Sequence, residues 1–156
     1  MANKRFTKAT NRREGGTFVL IPHDVLESKN WANCSPLACK LFIDLLSQFK
    51  GKNNGDLCAA MGLMEKKGWK RSQSITEATR ELRHYGFIKL TRQGGMNKPN
   101  LYAVTFQPID DCKPNLDVET ETVSSGLWKQ EKPRYIKNKK MPERLTFELG
   151  TLSVLG

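Results

Sequence analysis

The stretch from residue 72 to residue 106 constrains the fold of this chain more than any other. Ser72-Gln73-Ser74-Ile75-Thr76-Glu77-Ala78-Thr79-Arg80-Glu81-Leu82-Arg83-His84-Tyr85-Gly86 places Ile75, Ala78, Leu82 and Tyr85 at spacings of three, four and three. That period sets them on one face of a helix, and Gly86 supplies a stop. Phe87 to Arg92 and Leu101 to Phe106 then alternate apolar and polar residues. Between them lies the turn Gln93-Gly94-Gly95-Met96-Asn97-Lys98-Pro99-Asn100, so the two runs form a β-hairpin. A helix leading directly into a hairpin demands an α+β domain in which both elements share one core.

Upstream, Ser35 to Lys50 predicts the clearest helix. Ser35 is a good N-cap, Pro36 sits where its missing N–H costs nothing, and Gly51 is the stop. Leu37, Ala38, Leu41, Phe42, Leu45, Leu46 and Phe49 form its apolar face, with Lys40, Asp44, Ser47 and Gln48 toward solvent. Before it, Thr17 to Ile21 is a short apolar run closed by Pro22, and His23 to Ser28 suits a turn or two of helix. Trp31 is expected to pack over the Ser35–Lys50 helix. After it, Leu57 is a candidate for a short strand. A further helix is expected over Cys58 to Lys67, offering Ala59, Ala60, Leu63 and Met64 to the core. Two helices separated by a short glycine-containing turn make a helix-turn-helix arrangement.

Charge matters here because of where it gathers. The 156-residue chain has 26 Lys and Arg against 16 Asp and Glu, a net charge of +10. Within the 34 residues from Glu65 to Lys98 there are nine basic residues and three acidic ones, a surplus of six. A cluster of that kind favours a polyanionic partner. On the 72–85 helix, Gln73, Ser74, Thr76, Glu77 and Arg80 face outward near the N-terminal half. Fourteen residues at 1.5 Å each span about 21 Å, enough to lie in a major groove. Gln can read adenine, Arg can read guanine, and Ser or Thr can serve base or phosphate. Glu77 could accept from a cytosine amino group or pair with a nearby Arg.

The ends of the chain have a different composition. Residues 1–16 carry Lys4, Arg5, Lys8, Arg12 and Arg13 against Glu14 alone, and read as a flexible basic arm able to follow phosphates. They show no apolar stretch of the kind a secretory signal needs, and no window is apolar enough for a membrane span, so a cytoplasmic, nucleoid-associated protein is expected. Residues 108–156 swing from acidic (Asp110, Asp111, Asp117, Glu119, Glu121) to basic (Lys129, Lys132, Arg134, Lys137, Lys139, Lys140, Arg144). With four prolines after residue 106 and little periodicity, they are expected to form an extended, mobile, mixed-charge tail. Cys34, Cys39, Cys58 and Cys112 form no CxxC pair, and only His23 and His84 could join them, so neither a metal nor a cofactor is expected. No nucleotide loop, paired-carboxylate site or Cys-His-Asp grouping stands out, and catalysis is not expected.

The order of elements from Phe18 to Phe106, and the segments FVLIPHDVLESKNW, LSQFKGKNNGDL and GFIKLTRQGGMNKPNLYAVTF within it, resembles the winged helix-turn-helix family. It is similar in particular to small winged-helix proteins of phages, plasmids and other bacterial mobile elements, and to the modules that open many replication proteins. The resemblance implies a three-helix core with a β-hairpin wing over residues 17–107. It also implies that Gln73, Ser74, Thr76, Glu77 and Arg80 read bases, while Lys70, Arg71, Arg92, Gln93 and Lys98 contact the backbone. The expected function is therefore binding of double-stranded DNA by a transcriptional regulator or a replication-initiation accessory. The alternative is a protein-interaction module, a phage or host inhibitor or adaptor, that uses the domain and residues 110–156 to hold a protein partner. A homodimer is compatible with the family, although no long dimerisation helix is evident.

Overall fold

Five helices and a three-stranded antiparallel sheet make up the α+β fold of the computed structural model, which describes residues 15–137. The helices are α1 (His23–Glu27), α2 (Lys29–Asn33), α3 (Pro36–Leu46), α4 (Met61–Met64) and α5 (Ser72–His84). The strands are β1 (Leu57–Cys58), β2 (Ile88–Arg92) and β3 (Leu101–Val104), and short 3-10 turns cover Glu65–Lys67 and Leu127–Lys129. Among the described residues no helix is long and apolar enough to cross a membrane.

Helix α3 starts as its sequence dictates, with the Ser35 hydroxyl accepting the Ala38 N–H at 3.2 Å. It ends earlier than the apolar period suggests, at Leu46 rather than near Lys50. The side chains beyond Leu46 find other work. Gln48 donates from Nε2 to Cys58 O at 2.7 Å and accepts from Cys58 N at 2.9 Å, while Asn53 Nδ2 donates to Gln48 O at 2.8 Å. The same pair of Gln48 bonds explains why no helix begins at Cys58. Residues 57 and 58 are held extended as β1, which pairs with β3 in the register Leu57 to Tyr102. Helix α4 therefore starts only at Met61, which buries Met64 and leaves Leu63 at the surface.

The hairpin forms as expected, with Ile88 opposite Val104 and a bulge between Leu90 and Arg92. The addition of β1 makes β3 the central strand. The core lies between α3, α5 and the sheet, and includes Leu41, Phe42, Leu45, Leu57, Ile75, Leu82, Tyr85, Phe87 and Val104. Trp31 stands edge-on to Phe42 and Phe87, with ring centres 5.5 and 5.6 Å away. All four apolar positions of the α5 repeat, Ile75, Ala78, Leu82 and Tyr85, are buried.

Residues 108–137 lack long elements, as expected of an extended segment, but they pack against the domain rather than forming a mobile tail. Ile109 and Trp128 are buried. Asn54, itself fully buried, donates from Nδ2 to Val104 O, Gln107 O and Pro108 O at 3.0, 3.1 and 2.9 Å. Asp117 N donates to Thr91 O at 2.9 Å, and Gly126 N to Thr105 O at 3.0 Å. The chain thus passes along the outer strand and then past the C-terminal end of α5. Packing pulls in a segment too polar to bury itself, because its backbone groups find partners on the domain.

Candidate nucleic-acid interface

Helix α5 sorts its polar residues onto distinct sides. Gln73 and Thr76 are exposed and Arg80 is half-buried, and at about 100° per residue the three share one outward stripe. Lys70 and Arg71 are exposed just before the helix, where Arg71 occupies the cap position without a side-chain capping bond. Arg83 is exposed on the same side, three residues past Arg80. Its periodic position could have added it to the expected readers.

The two acids of α5 are both engaged by protein partners. Glu81 is buried, and its carboxylate accepts Ser35 N at 2.7 Å and the Ser35 hydroxyl at 2.6 Å. It braces the start of α3 through the residue that caps it. Glu77 accepts from Arg80 Nη1 at 3.5 Å and from the Tyr135 hydroxyl at 3.4 Å, and its side chain is only 14% exposed. Glu77 therefore sits on the flank of the helix rather than in the centre of the expected reading face. Ser74 lies on that flank as well, lining a cavity of about 710 Å³ with Cys34, Ser35, Glu77 and Tyr135.

The opposite flank meets the hairpin. Thr76, Thr79, Arg80 and Arg83 line a cleft of about 280 Å³ whose far wall is Pro99, Asn100 and Tyr102. Asn100 shapes this wall by accepting Gly94 N through its side-chain oxygen at 2.5 Å. A Cβ on Gly94 would lie 2.5 Å from Lys98 O and 2.7 Å from Asn100 N, so the turn needs glycine for the close approach of its two arms. Lys98 is exposed at the tip, where Gly95 and Lys98 form an isolated bridge. Arg92 is half-buried and donates from Nη2 to Pro99 O at 3.0 Å, so part of its guanidinium is committed to the turn. Gln93 has an exposed side chain, and its N–H is held by Asp117 at 2.9 Å. Lys89, at the base of the hairpin, pairs with Glu121 at 3.1 Å. The arm residues Lys4, Arg5, Lys8, Arg12 and Arg13 lie outside the described residues.

On the flank of α5 opposite the hairpin, residues 127–137 form a strap that the sequence gives no periodic sign of. Asn30 is its anchor: Nδ2 donates to Tyr85 O, Trp128 O and Gln130 O at 3.2, 2.9 and 2.8 Å, and Oδ1 accepts Lys132 N at 3.0 Å. Tyr135 N donates to the Tyr85 hydroxyl at 2.8 Å. His84 Nε2 lies 2.7 Å from Pro133 O, which can only accept, so that nitrogen carries the proton. Burial raises the Tyr135 phenol above its ordinary range, and the nearby Glu77 carboxylate adds to the effect while Arg80 opposes it.

No family model, curated protein or solved structure matches the chain. Among the described residues no three His, Cys, Asp or Glu side chains are grouped to hold a metal ion. Cys34 and Cys39 lie near Glu81, and burial, reinforced by their mutual proximity and that carboxylate, pushes the Cys34 thiol up, which disfavours the nucleophilic thiolate. The surface formed by α5 and the hairpin offers hydrogen-bond donors and cations on a rigid support, suited to binding an extended polyanion.

Proposed function

We propose that the chain is a winged-helix protein that binds double-stranded DNA, with α5 in the major groove and the hairpin as a wing over the adjacent backbone. The observation that carries this reading is the sorting of α5. Its two carboxylates are drawn to Ser35, Arg80 and Tyr135, which leaves Gln73, Thr76, Arg80 and Arg83 on the outward side. A helix that entered a groove with unpaired carboxylates foremost would be repelled by phosphate.

Three further features support it. The order helix, strand, helix, helix, hairpin, with the first strand joining the sheet, is compatible with a winged helix. Helix α5 is 13 residues long, about 20 Å, long enough to lie along a major groove, and its diameter of about 10–12 Å fits the groove width of about 12 Å. Its first turn carries no side-chain cap, so its amide N–H groups are suited to meet a phosphate beside Lys70 and Arg71. In this arrangement Gln73, Thr76 and Arg80 are the base readers, joined by Arg83. Lys70, Arg71 and Lys98 hold phosphates, and Arg92 mainly stiffens the wing. A regulator or a replication-initiation accessory of a bacterial mobile element would use such a domain.

Binding to a random duplex pool, followed by titrations of selected sequences at several salt concentrations, tests the reading. If about 6–10 phosphates are neutralised, affinity falls by roughly 10³–10⁵ between 50 and 200 mM salt. Arg80→Ala should alter sequence preference, by about 1–3 kcal/mol at one base pair. Lys98→Ala should weaken all sequences alike and reduce the salt slope by about one. A nearly flat salt dependence on duplex DNA overturns the proposal.

A further inference from the structure

We propose that the strap of residues 127–137 is a second clamp, which holds the phosphates of the groove wall opposite the wing through Arg134 and Lys137. This inference rests on the reading of α5 as the helix that enters the groove. Its starting point is that α5 has two flanks with different neighbours. Thr76, Thr79 and Arg83 face Pro99, Asn100 and Tyr102 of the hairpin. Ser74, Glu77 and Glu81, on the other side of the helix axis, face Arg134, Tyr135 and Lys137 of the strap. Gln73 stands between the two flanks, with Thr76 and Arg80 along the hairpin side.

That geometry matches the cross-section of a duplex groove. A helix with its side chains is about 10–12 Å across and the major groove is about 12 Å wide, so both phosphate walls come close to the helix flanks. The hairpin can serve only one wall. On the other side the strap brings exposed Arg134 and Lys137 beside the N-terminal half of α5, the half that goes deepest. The strap is firmly placed: Asn30 and the Tyr85 hydroxyl hold its backbone, and the Tyr135 phenol reaches Glu77, which in turn touches Arg80. Its charge is also one-sided. Within the strap itself, Lys129, Lys132, Arg134 and Lys137 stand against one acid, Glu131, which is paired with Lys29 at 3.3 Å. An acidic protein could meet the same cations, but the position of the strap alongside the groove-entering helix favours the nucleic-acid backbone.

The test compares the full-length protein with Arg134→Gln/Lys137→Gln in duplex titrations from 50 to 200 mM salt and in hydroxyl-radical footprints. Loss of two phosphate contacts should reduce the slope of log affinity against log salt by about 1.8 and weaken binding roughly 10- to 100-fold at 0.1 M salt. Protection should disappear on the side opposite to that lost in Lys98→Gln. The charge-preserving variant Arg134→Lys/Lys137→Arg should keep the slope, which separates a charge effect from loss of fold. If the unaltered protein binds steeply but the Gln variant keeps its slope and footprint, the strap is not a clamp, and the reading of α5 stands. Tighter binding by the Gln variant would also overturn the clamp, since the strap would then obstruct DNA. If the unaltered protein fails to bind duplex DNA at all, both readings fall together.

Discussion

Asn30 is a polar residue that is only 2% exposed, and its amide is saturated by four backbone partners contributed by Tyr85 and the strap. Replacing it by Ala leaves three carbonyls and one N–H without their partner. Asn30→Ala should therefore lower the unfolding free energy by about 2–4 kcal/mol, read by urea denaturation. A loss below about 0.5 kcal/mol would mean that the strap is not held by this residue. Tyr135 makes a different kind of prediction. Its phenol is raised in the folded state, so the neutral form is the one the fold prefers. The stability it supplies is fully present below the ordinary tyrosine range and is lost as pH rises through the raised value. The difference in stability between the protein and Tyr135→Phe should hence be constant up to about pH 9 and shift against the tyrosine at higher pH. Equal pH profiles for the two proteins would contradict this.

At the scale of elements, what the sequence made legible was what repeats locally. Helix α5 could be read from its local apolar spacing of about 3.6, and the hairpin from two apolar-rich runs around a glycine-containing turn. The Cys58–Lys67 helix was misplaced because Gln48, ten residues away, binds both backbone groups of Cys58 and holds it in a strand. Pairing of Glu77 with a nearby Arg was legible and is found at Arg80, whereas its contact with Tyr135, 58 residues distant, was not. Reading the strap fails for the same reason: its partners are carbonyls, an amide and a phenol, none of which leaves a period. The crossing of strap and helix can be tested at Gly86, the stop after α5. Gly86 has φ +76°, and a Cβ there would lie 2.6 Å from Leu127 O and 2.8 Å from Leu127 C. Gly68 has a comparable φ of +90° but nothing within 4 Å of its Cβ position. Both alanine variants bear the left-handed strain of about 1–2 kcal/mol, and only Gly86→Ala must also displace the strap. Gly86→Ala should thus lose about 1–2 kcal/mol more than Gly68→Ala in thermal or urea unfolding. Equal losses would show that the strap yields at no cost.

At the scale of the whole molecule, positive charge is shared between the described residues and the segments on either side of them. Residues 15–137 hold 18 Lys and Arg against 13 Asp and Glu, a surplus of five, so the other 33 residues carry the remaining half of the net charge of +10. From sequence alone, removing everything after the hairpin looks like a simple way to separate DNA affinity from other activities. The packing changes what such a truncation means. Deleting residues 127–156 strips Trp128 from the core and empties the sites on Asn30 and Tyr85 that hold the strap. Loss of a buried Trp alone costs about 3–5 kcal/mol, and domains of this size are stable by only about 5–15 kcal/mol. The truncated chain should therefore melt well below the full-length protein and populate unfolded forms at 37 °C, as read by circular dichroism. Any loss of DNA binding in it would report unfolding as much as missing contacts, which is why point variants of exposed Arg134 and Lys137 isolate the contacts more cleanly. A truncated protein that melts at the same temperature as the full-length one would refute the structural role assigned to the strap.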